Sequence, residues 1–203
     1  MDVSDPANYR PIVNLNTISK IWEWLVIIWF VPHASTPSSF DAVQSTYRRL
    51  PSTETALLKA TDDIFAGFDD YQSTILVTLN QSAACDCVDH KTLISQLEHT
   101  FGVTGNAIDW ISSYWEAQST FVHRKQNSSD VFPLDTGVPQ GSSLGPFLSL
   151  LYIAPLSAVI NSFGVSHLQY ADDTQIYIAV SRADVSDKVD LLLDCTVGVH
   201  SWL

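Results

Sequence analysis

A β-hairpin with an acidic bend is the feature that most constrains this sequence. Residues 167–178 read HLQYADDTQIYI, in which apolar and polar residues alternate on both sides of two adjacent aspartates. This alternation predicts two short strands joined by a tight turn at Asp172-Asp173. Short carboxylates suit turns because they accept hydrogen bonds from nearby N–H groups. The pair is compatible with a simple solvated turn, but two fixed like charges between apolar strands also suit a bound cation.

Composition limits the class of protein. The 203 residues are 46% apolar, which is typical of a globular chain with one sizeable core. The chain carries 22 acidic and 10 basic residues, a net charge of −12. Because Lys and Arg supply most non-specific affinity for phosphate backbones, this balance predicts weak nucleic-acid binding.

The sequence predicts an intracellular protein, in the cytoplasm or nucleus, with no targeting signal and no membrane partner. The three cysteines show no metal-ligand spacing, which is typical of a reducing compartment. Asp2 and Asp5 stand where a signal peptide would be basic. The apolar run at 21–31 is shorter than the ~20 residues of a membrane span, so we expect a buried or poorly fitting helix there. An interfacial anchor is the less favoured alternative, because the run has no basic face.

Alternating helical and strand patterns predict an α+β fold. Apolar residues at three- and four-residue spacing predict helices at 53–68, from Asp89 to Gly102, from Thr104 to Trp115, at 144–163 and at 185–203. One face of the first of these would carry Leu57, Leu58, Ile64, Phe65 and Phe68. The continuously apolar run at 74–79 predicts a strand buried on both faces. A second hairpin is expected from 119–124 and 131–134, with its turn at 126–130.

Two further features could take part in chemistry. Asn80 directly follows the buried strand, where its side chain would emerge at the edge of the sheet, although taken alone it is more simply a turn-forming residue after a strand. The loop at 137–146, GVPQGSSLGP, has glycines that let the backbone approach a ligand, and its Gln140 can both donate and accept hydrogen bonds. The simpler alternative is a helix N-terminus capped by Ser142 or Ser143.

Taken in order, four motifs resemble the reverse transcriptases of non-LTR (LINE-type) retrotransposons. They are Tyr9-Arg10-Pro11-Ile12, the strand leading into NQSAACDCVDH at 80–90, the loop at 137–146, and Tyr170-Ala171-Asp172-Asp173. The resemblance covers nearly the whole chain. It implies the palm of a right-hand polymerase, an antiparallel sheet packed on helices, with residues 1–50 as a fingers remnant and 51–203 as the palm. The chain reaches Leu203 before the thumb that follows in the family.

The resemblance also implies a cofactor, partners and metal ligands. Two Mg²⁺ ions (or Mn²⁺) would assist nucleotidyl transfer from a deoxynucleotide to a DNA primer on an RNA template. Asp172 would be a catalytic metal ligand and Asp173 its support. Asn80 occupies the position of the family's third catalytic carboxylate.

The same resemblance assigns nucleotide- and template-binding positions. Tyr170 would lie close to the primer end, and Gln140 and Gly141 would border the nucleotide and the template. Arg10 would meet the triphosphate. Cys85 stands where an aromatic residue normally excludes the 2′-hydroxyl of ribonucleotides.

The departures from the family pattern, which are Asn80 and truncation before the thumb, predict a reverse transcriptase-like domain with impaired activity. Asn80 keeps a carbonyl oxygen but lacks the charge by which carboxylates hold Mg²⁺. Asp86 is not expected to replace it, because six extended residues span ~20 Å. The competing interpretation is a non-catalytic RNA- or protein-binding remnant of such a polymerase. In that case the tryptophan-rich run and the last helix would be its partner surfaces.

Overall fold

The computed structural model describes residues 12–34, 53–69, 73–80, 85–116, 118–124, 126–171 and 173–202. The chain forms two compact units. The first unit comprises Met1–Ala34 and Ala83–Tyr152, and the second comprises Ser35–Ser82 and Ile153–Leu203. The predicted domain boundary at residue 50 lies outside the described residues, so that division stays a prediction.

The described residues form a mixture of helices and antiparallel strands, which confirms the predicted α+β class. The helices are α1 (Thr17–Ala34), α2 (Thr53–Asp69), α3 (His90–His99), α4 (Asn106–Trp115), α5 (Gly145–Ile153), α6 (Leu156–Ser162) and α7 (Val185–Trp202). The strands are β1 (Ser73–Asn80), β2 (Ser119–Thr120), β3 (His123–Arg124), β4 (Asn127–Ser128), β5 (Phe132–Pro133), β6 (Ser166–Tyr170) and β7 (Asp173–Val180).

A three-stranded antiparallel sheet with the order β1-β7-β6 organises the second unit. One face of the sheet, represented by Ile176 and Ile178, packs in a core with residues of α6 and α7. On the other face, Leu168 and Tyr177 pack against Ala60 of α2. The sheet is therefore covered on both sides over most of β6 and β7, and its end at the β6–β7 turn is more exposed.

Strand β1 was expected to be buried on both faces, and this prediction is wrong. Among the described strands it lies at the edge of the sheet, and its burial alternates along the strand. Ile75, Val77 and Leu79 pack against the core, whereas Leu76 on the opposite face is 46% exposed. The reason is the antiparallel arrangement, in which a strand needs an apolar side chain only at every second residue.

The single helix predicted at 144–163 is divided into α5 and α6. The break falls at Pro155, whose ring removes a backbone N–H and prevents a continuous helix. Among the described residues, the stretch Gly145–Ser162 is the one long and apolar enough to cross a membrane by composition. More than half of that stretch is buried within the structure, as is also usual for a core helix.

Helix α1 is present where a helix was expected, but most of it is not buried. Trp22, Trp24 and Trp29 are exposed, and the buried residues are Glu23, Phe30 and Ala34. Because its sequence is apolar on all sides, the periodicity could not identify the face that packs.

The buried face of α2 also differs from the prediction. The large apolar residues Leu57, Leu58, Phe65 and Phe68 are exposed, whereas Ala60 and Gly67 are buried. Gly67 faces β1, where an added Cβ would lie at an ordinary contact distance of 3.4 Å from the Thr74 hydroxyl oxygen, so α2 packs against the sheet through its small residues.

In the first unit, the local predictions for α3 and α4 are confirmed. The Oδ1 atom of Asp89 caps α3 by accepting a hydrogen bond from the Thr92 backbone N–H at 2.7 Å. The predicted hairpin at 119–134 is shorter and interrupted. Strand β2 pairs with β5 and β3 with β4, which places the turn between Arg124 and Asn127, earlier than the expected 126–130.

Candidate active site

Asn80, Asp173 and Tyr170 form a row across one end of the sheet in the second unit. Asn80 ends β1 and lies directly opposite Asp173, the first residue of β7. Tyr170 ends β6 and lies opposite Asp173 on the other side. Directly opposed residues in an antiparallel ladder have Cβ atoms about 5 Å apart on the same face of the sheet. All three side chains are exposed, so this row is accessible to a ligand.

Only two residues, Ala171 and Asp172, connect β6 and β7. Ala171 has φ 53°, a left-handed conformation that suits a two-residue hairpin turn but is uncommon outside glycine. Asp172, the predicted metal ligand, lies outside the described residues. The expectation that both aspartates form the bend is corrected for Asp173, which belongs to β7 because it pairs with Asn80 and Tyr170 in the ladder.

A buried polar network lies on the other face of β6, beneath the row. Gln169 and His167 are almost fully buried and are joined through Ser157 of α6. The Ser157 hydroxyl donates to Gln169 Oε1 at 2.8 Å, and His167 Nε2 lies 3.1 Å from the same hydroxyl oxygen. Because the Ser157 proton is directed to Gln169, the N–H at Nε2 of His167 donates to Ser157. These bonds hold the strand that carries Tyr170.

In the first unit, the loop at 137–146 packs against the chain segment that contains Cys85. Gly137 N–H donates to Val88 O at 2.7 Å, and Val138 N–H donates to Cys85 O at 2.6 Å. Gly137 has φ 90°, and an added Cβ would lie 3.2 Å from the Cys85 carbonyl oxygen. His90 also donates from Nε2 to the Gly137 oxygen at 2.7 Å. A glycine is therefore required for both the turn and the close approach.

The structure brings Gln140 and Gly141 close to the same segment. Gln140 donates from Nε2 to Asp86 Oδ1 at 3.3 Å, and its backbone oxygen accepts from Val13 N–H at 2.8 Å. Gly141 has φ 100°, and an added Cβ would lie only 2.9 Å from the Val13 carbonyl oxygen. Cys85, Gln140 and Gly141 are thus neighbours through these contacts, and their nucleotide-binding roles stay predictions. Arg10 lies outside the described residues.

Of the two capping alternatives for this loop, the structure selects Ser142. Its Oγ accepts hydrogen bonds from Leu144 N–H at 3.1 Å and Gly145 N–H at 2.9 Å. Ser143 contributes its backbone instead, because its N–H donates to Glu23 Oε2 at 2.7 Å.

Glu23 and Tyr114 were missed by the sequence predictions. The Tyr114 hydroxyl donates to Glu23 Oε1 at 2.7 Å, and Glu23 is only 2% exposed. Burial raises the pKa of the Tyr114 phenol well above its usual range, and the Glu23 carboxylate adds to this shift. One sequence signal could have identified Glu23, because it is the single carboxylate within the apolar run at 21–31, but nothing in the sequence indicated Tyr114 as its partner.

The oxygen donors near the hairpin are suited to a hard divalent cation. Asp173 offers a carboxylate and Asn80 an amide oxygen, both of which Mg²⁺ accepts. The described residues, which do not include Asp172, contain no cluster of three His, Cys, Asp or Glu side chains. The donor set therefore fits Mg²⁺ or Mn²⁺ in kind, with one negative charge fewer than three carboxylates would supply.

Comparisons with known proteins give a consistent result. A family model described as reverse transcriptase (RNA-dependent DNA polymerase) matches residues 3–198. A probable RNA-directed DNA polymerase from transposon BS of Drosophila melanogaster is 30% identical over 151 residues, 74% of this chain and 16% of that protein. The polymerase of the D. melanogaster transposon X-element is 28% identical over 200 residues, 98% of this chain and 22% of its own length.

A third relative and a solved structure agree with this result. The polymerase of the mobile element jockey is 23% identical over 205 residues, 98% of this chain and 21% of that protein. The chain thus spans only about a fifth of the curated relatives that it matches. Apo telomerase from Candida tropicalis, truncated from its C-terminal domain, aligns with a TM-score of 0.56 and 14% identity over 85% of this chain and 36% of its own. At this identity the structure shows a similar fold alone, consistent with a polymerase palm.

Proposed function

This chain belongs to the reverse transcriptase family, with relatives among LINE-type retrotransposons, and we propose that it carries a nucleotidyl-transfer site impaired by Asn80. The observation that carries the proposal is the pairing of Asn80 with Asp173 at the end of the hairpin. In the family, the strand that corresponds to β1 would bring a carboxylate next to the Asp-Asp motif. In this chain the amide of Asn80 occupies that position. The loss of that charge weakens the attraction for a divalent cation.

The reverse transcriptase family generally uses divalent metals. In this chain Asp172 and Asp173 would hold Mg²⁺ or Mn²⁺, and Asn80 would contribute a neutral oxygen. When bound, such ions stabilise the attacking and leaving oxygens of an in-line phosphoryl transfer. Tyr170, adjacent to Asp173 in the ladder, would contact the primer end.

The glycine loop would take the nucleotide and the template. Gln140 is held by Asp86 and precedes Gly141, whose left-handed backbone allows the loop to pack closely on Val13. Arg10 would meet the triphosphate, and Cys85 would leave a wider sugar pocket than an aromatic residue. The bound partners would be an RNA template, a DNA primer and a deoxynucleotide.

The charge of the chain affects how well it would hold these partners. With 10 basic and 22 acidic residues, few phosphates can be neutralised on binding. We therefore expect weak primer-template affinity that decreases further as the salt concentration rises, since this binding depends on phosphate contacts.

Primer extension on an RNA template with Mg²⁺ or Mn²⁺ tests the proposal. We expect the wild-type chain to extend no better than an Asp172→Ala control. Asn80→Asp should raise extension above the Asn80→Asp/Asp172→Ala double variant, which serves as its matched control. Wild-type extension well above the Asp172→Ala control would contradict impairment. An Asn80→Asp chain that binds the duplex yet gains no activity would show that Asn80 is not the defect.

A second candidate function is non-catalytic binding of RNA or protein. It is favoured by the exposed tryptophans of α1 and by a cavity of about 650 Å³ beside them, with Trp22, Trp29 and Trp110 among its lining residues. Size-exclusion chromatography with RNA at low and high salt distinguishes the two functions. Binding that survives high salt and is lost in Trp22→Ala would support the second function.

A further inference from the structure

Glu23 is unusual because a carboxylate is buried within a helix that is otherwise almost entirely apolar. It is the one acidic residue of α1 and is 2% exposed, whereas its neighbours Trp22 and Trp24 are 60% and 58% exposed. Burial of a charged carboxylate is unfavourable unless its oxygens are hydrogen-bonded. The position of Glu23 therefore depends on its partners.

Both oxygens of Glu23 have a donor in the first unit. Oε2 accepts from the Ser143 backbone N–H, and Oε1 accepts from the Tyr114 hydroxyl, each at 2.7 Å. Hydrogen bonds to a charged acceptor are stronger than neutral ones. The Ser143 N–H is the first of three successive N–H groups at the start of α5, and Ser142 Oγ accepts from the next two, those of Leu144 and Gly145. A negative charge at a helix N-terminus is favourable as well.

These contacts restrain the loop on both sides of Gln140-Gly141. Before the pair, the loop is joined to the Cys85 segment by the bonds of Gly137 and Val138. After the pair, Ser143 is joined to α1 by Glu23. The Gln140-Gly141 segment lies between these two restraints, in addition to the direct bonds of Gln140 to Val13 and Asp86, and removal of Glu23 would remove the restraint at Ser143.

We propose that Glu23 is a positioning residue that holds the Gln140-Gly141 segment through the Ser143 N–H and the Tyr114 hydroxyl. The inference deepens the proposed function, on which it rests, because that segment is the one assigned to the nucleotide and template. Glu23 does not itself touch the substrate in this assignment. Its effect passes through the backbone of the loop.

Positioning and simple core packing predict different effects of substitution. Glu23→Leu replaces the carboxylate with an apolar side chain of similar volume. This variant fills the same space but leaves the Ser143 N–H without its acceptor. Glu23→Gln keeps one oxygen for the Ser143 N–H, and its amide group can donate to the Tyr114 oxygen. If Glu23 merely fills space, Leu should serve as well as Gln. If it positions the loop, Gln should rescue and Leu should not.

Amide hydrogen exchange by NMR measures the loop directly. The Ser142 and Ser143 amides report the loop, since Ser142 N–H donates to Pro139 O, and the Leu97 amide in α3 reports the rest of the unit. We expect Glu23→Leu to accelerate Ser142 and Ser143 exchange at least about tenfold relative to Leu97. Glu23→Gln should stay within about threefold of wild type.

A matched control separates this effect from general destabilisation. Phe30→Leu alters a buried residue on the same helix, which packs edge-to-face on Phe147 of α5 and takes no part in the hydrogen bonds of Glu23. It should accelerate exchange of the loop amides and of Leu97 to the same extent. Equal acceleration of all three amides in Glu23→Leu, or no acceleration of the loop, would overturn the proposal.

Duplex binding connects the loop to function. By fluorescence anisotropy at fixed salt, we expect Glu23→Leu to weaken binding of an RNA–DNA primer-template at least about fivefold, and Glu23→Gln to leave it unchanged. If neither the wild type nor the variants bind the duplex, the proposed function is wrong. The exchange data would still decide whether Glu23 holds the loop. If the duplex binds but Glu23→Leu has no effect on its affinity, the positioning role is wrong.

Discussion

Asn80 lies directly opposite Asp173 in the antiparallel ladder between β1 and β7. The pair ends the sheet at the hairpin turn, where Asp173 also faces Tyr170. An amide facing a carboxylate can be accommodated without a cation. Two carboxylates in the same places would repel each other unless a cation lay between them. The identity of residue 80 therefore decides how strongly this end of the sheet attracts a divalent cation.

Restoring a carboxylate at residue 80 should make stability depend on metal. Without divalent cations, Asn80→Asp should lower the free energy of unfolding by up to about 1 kcal/mol, because like charges directly opposite each other are destabilising. Added Mg²⁺ should reverse this loss, and thermal unfolding with and without Mg²⁺ measures it.

The control for that experiment is Thr78→Asp. Thr78 lies on the same strand and face as Asn80 but opposite Gln175. The substitution therefore adds the same negative charge at a position farther from the hairpin turn. An equal Mg²⁺ response of the two variants would contradict a specific site at Asp173.

The left-handed backbone of Ala171 should make the turn sensitive to side-chain size. Glycine adopts φ 53° without strain. Ala171→Gly should therefore leave the free energy of unfolding unchanged or raise it by up to about 1 kcal/mol. Ala171→Val should lower it by more than about 1 kcal/mol. Urea unfolding measures both, and Ala179→Gly in β7 is the control, since glycine within a strand should cost about 0.5–1 kcal/mol.

Gly141 should not tolerate a side chain. Gly141→Ala would place a Cβ 2.9 Å from the Val13 oxygen at a φ of 100°, and we expect a loss of about 1–3 kcal/mol in unfolding free energy. Gly67→Ala is the matched control, because its Cβ would meet only ordinary contacts and alanine favours a helix. Chemical unfolding should show the first variant destabilised and the second unchanged or stabilised. The reverse order would contradict the conformation of the loop.

Tyr177 should make the second unit sensitive to alkaline pH. Its buried hydroxyl donates to Asp63 Oδ2 at 2.5 Å, and burial first, then this bond, raises the pKa of the phenol well above its usual value near 10. The corresponding stability is fully present below pH ~10 and is lost as pH rises towards the folded-state pKa.

The measurement is urea unfolding from pH 8 to pH 11. Tyr177→Phe should cost about 1 kcal/mol at pH 8, where the hydrogen bond is lost, and should lose less stability than wild type above pH 10. Asp63→Asn, which keeps an acceptor for the hydroxyl, is the control. Parallel curves for wild type and Tyr177→Phe would show that this phenol is not the alkaline-sensitive group.

The helix cap at Asp89 was predicted accurately because it depends only on residues close in the sequence. Asp89 caps α3 as expected because the capping bond to Thr92 spans three residues. The predictions that failed required knowledge of distant partners. Leu57 and Phe65 on α2 are exposed because Ala60, a smaller residue, packs against Leu168 and Tyr177, and no periodicity within α2 contains that information.

The sequence by itself determined the family, through four ordered motifs, and the presence of an antiparallel hairpin around Asp172-Asp173. It also located the missing charge at Asn80. Only the tertiary structure decided the register that sets Asn80 against Asp173, because strand pairing depends on which faces of β1 and β7 the core buries. The same holds for Glu23, whose partners Tyr114 and Ser143 lie 91 and 120 residues away. A buried carboxylate is stabilised by donors that folding brings to it, and their positions are a property of the packed chain.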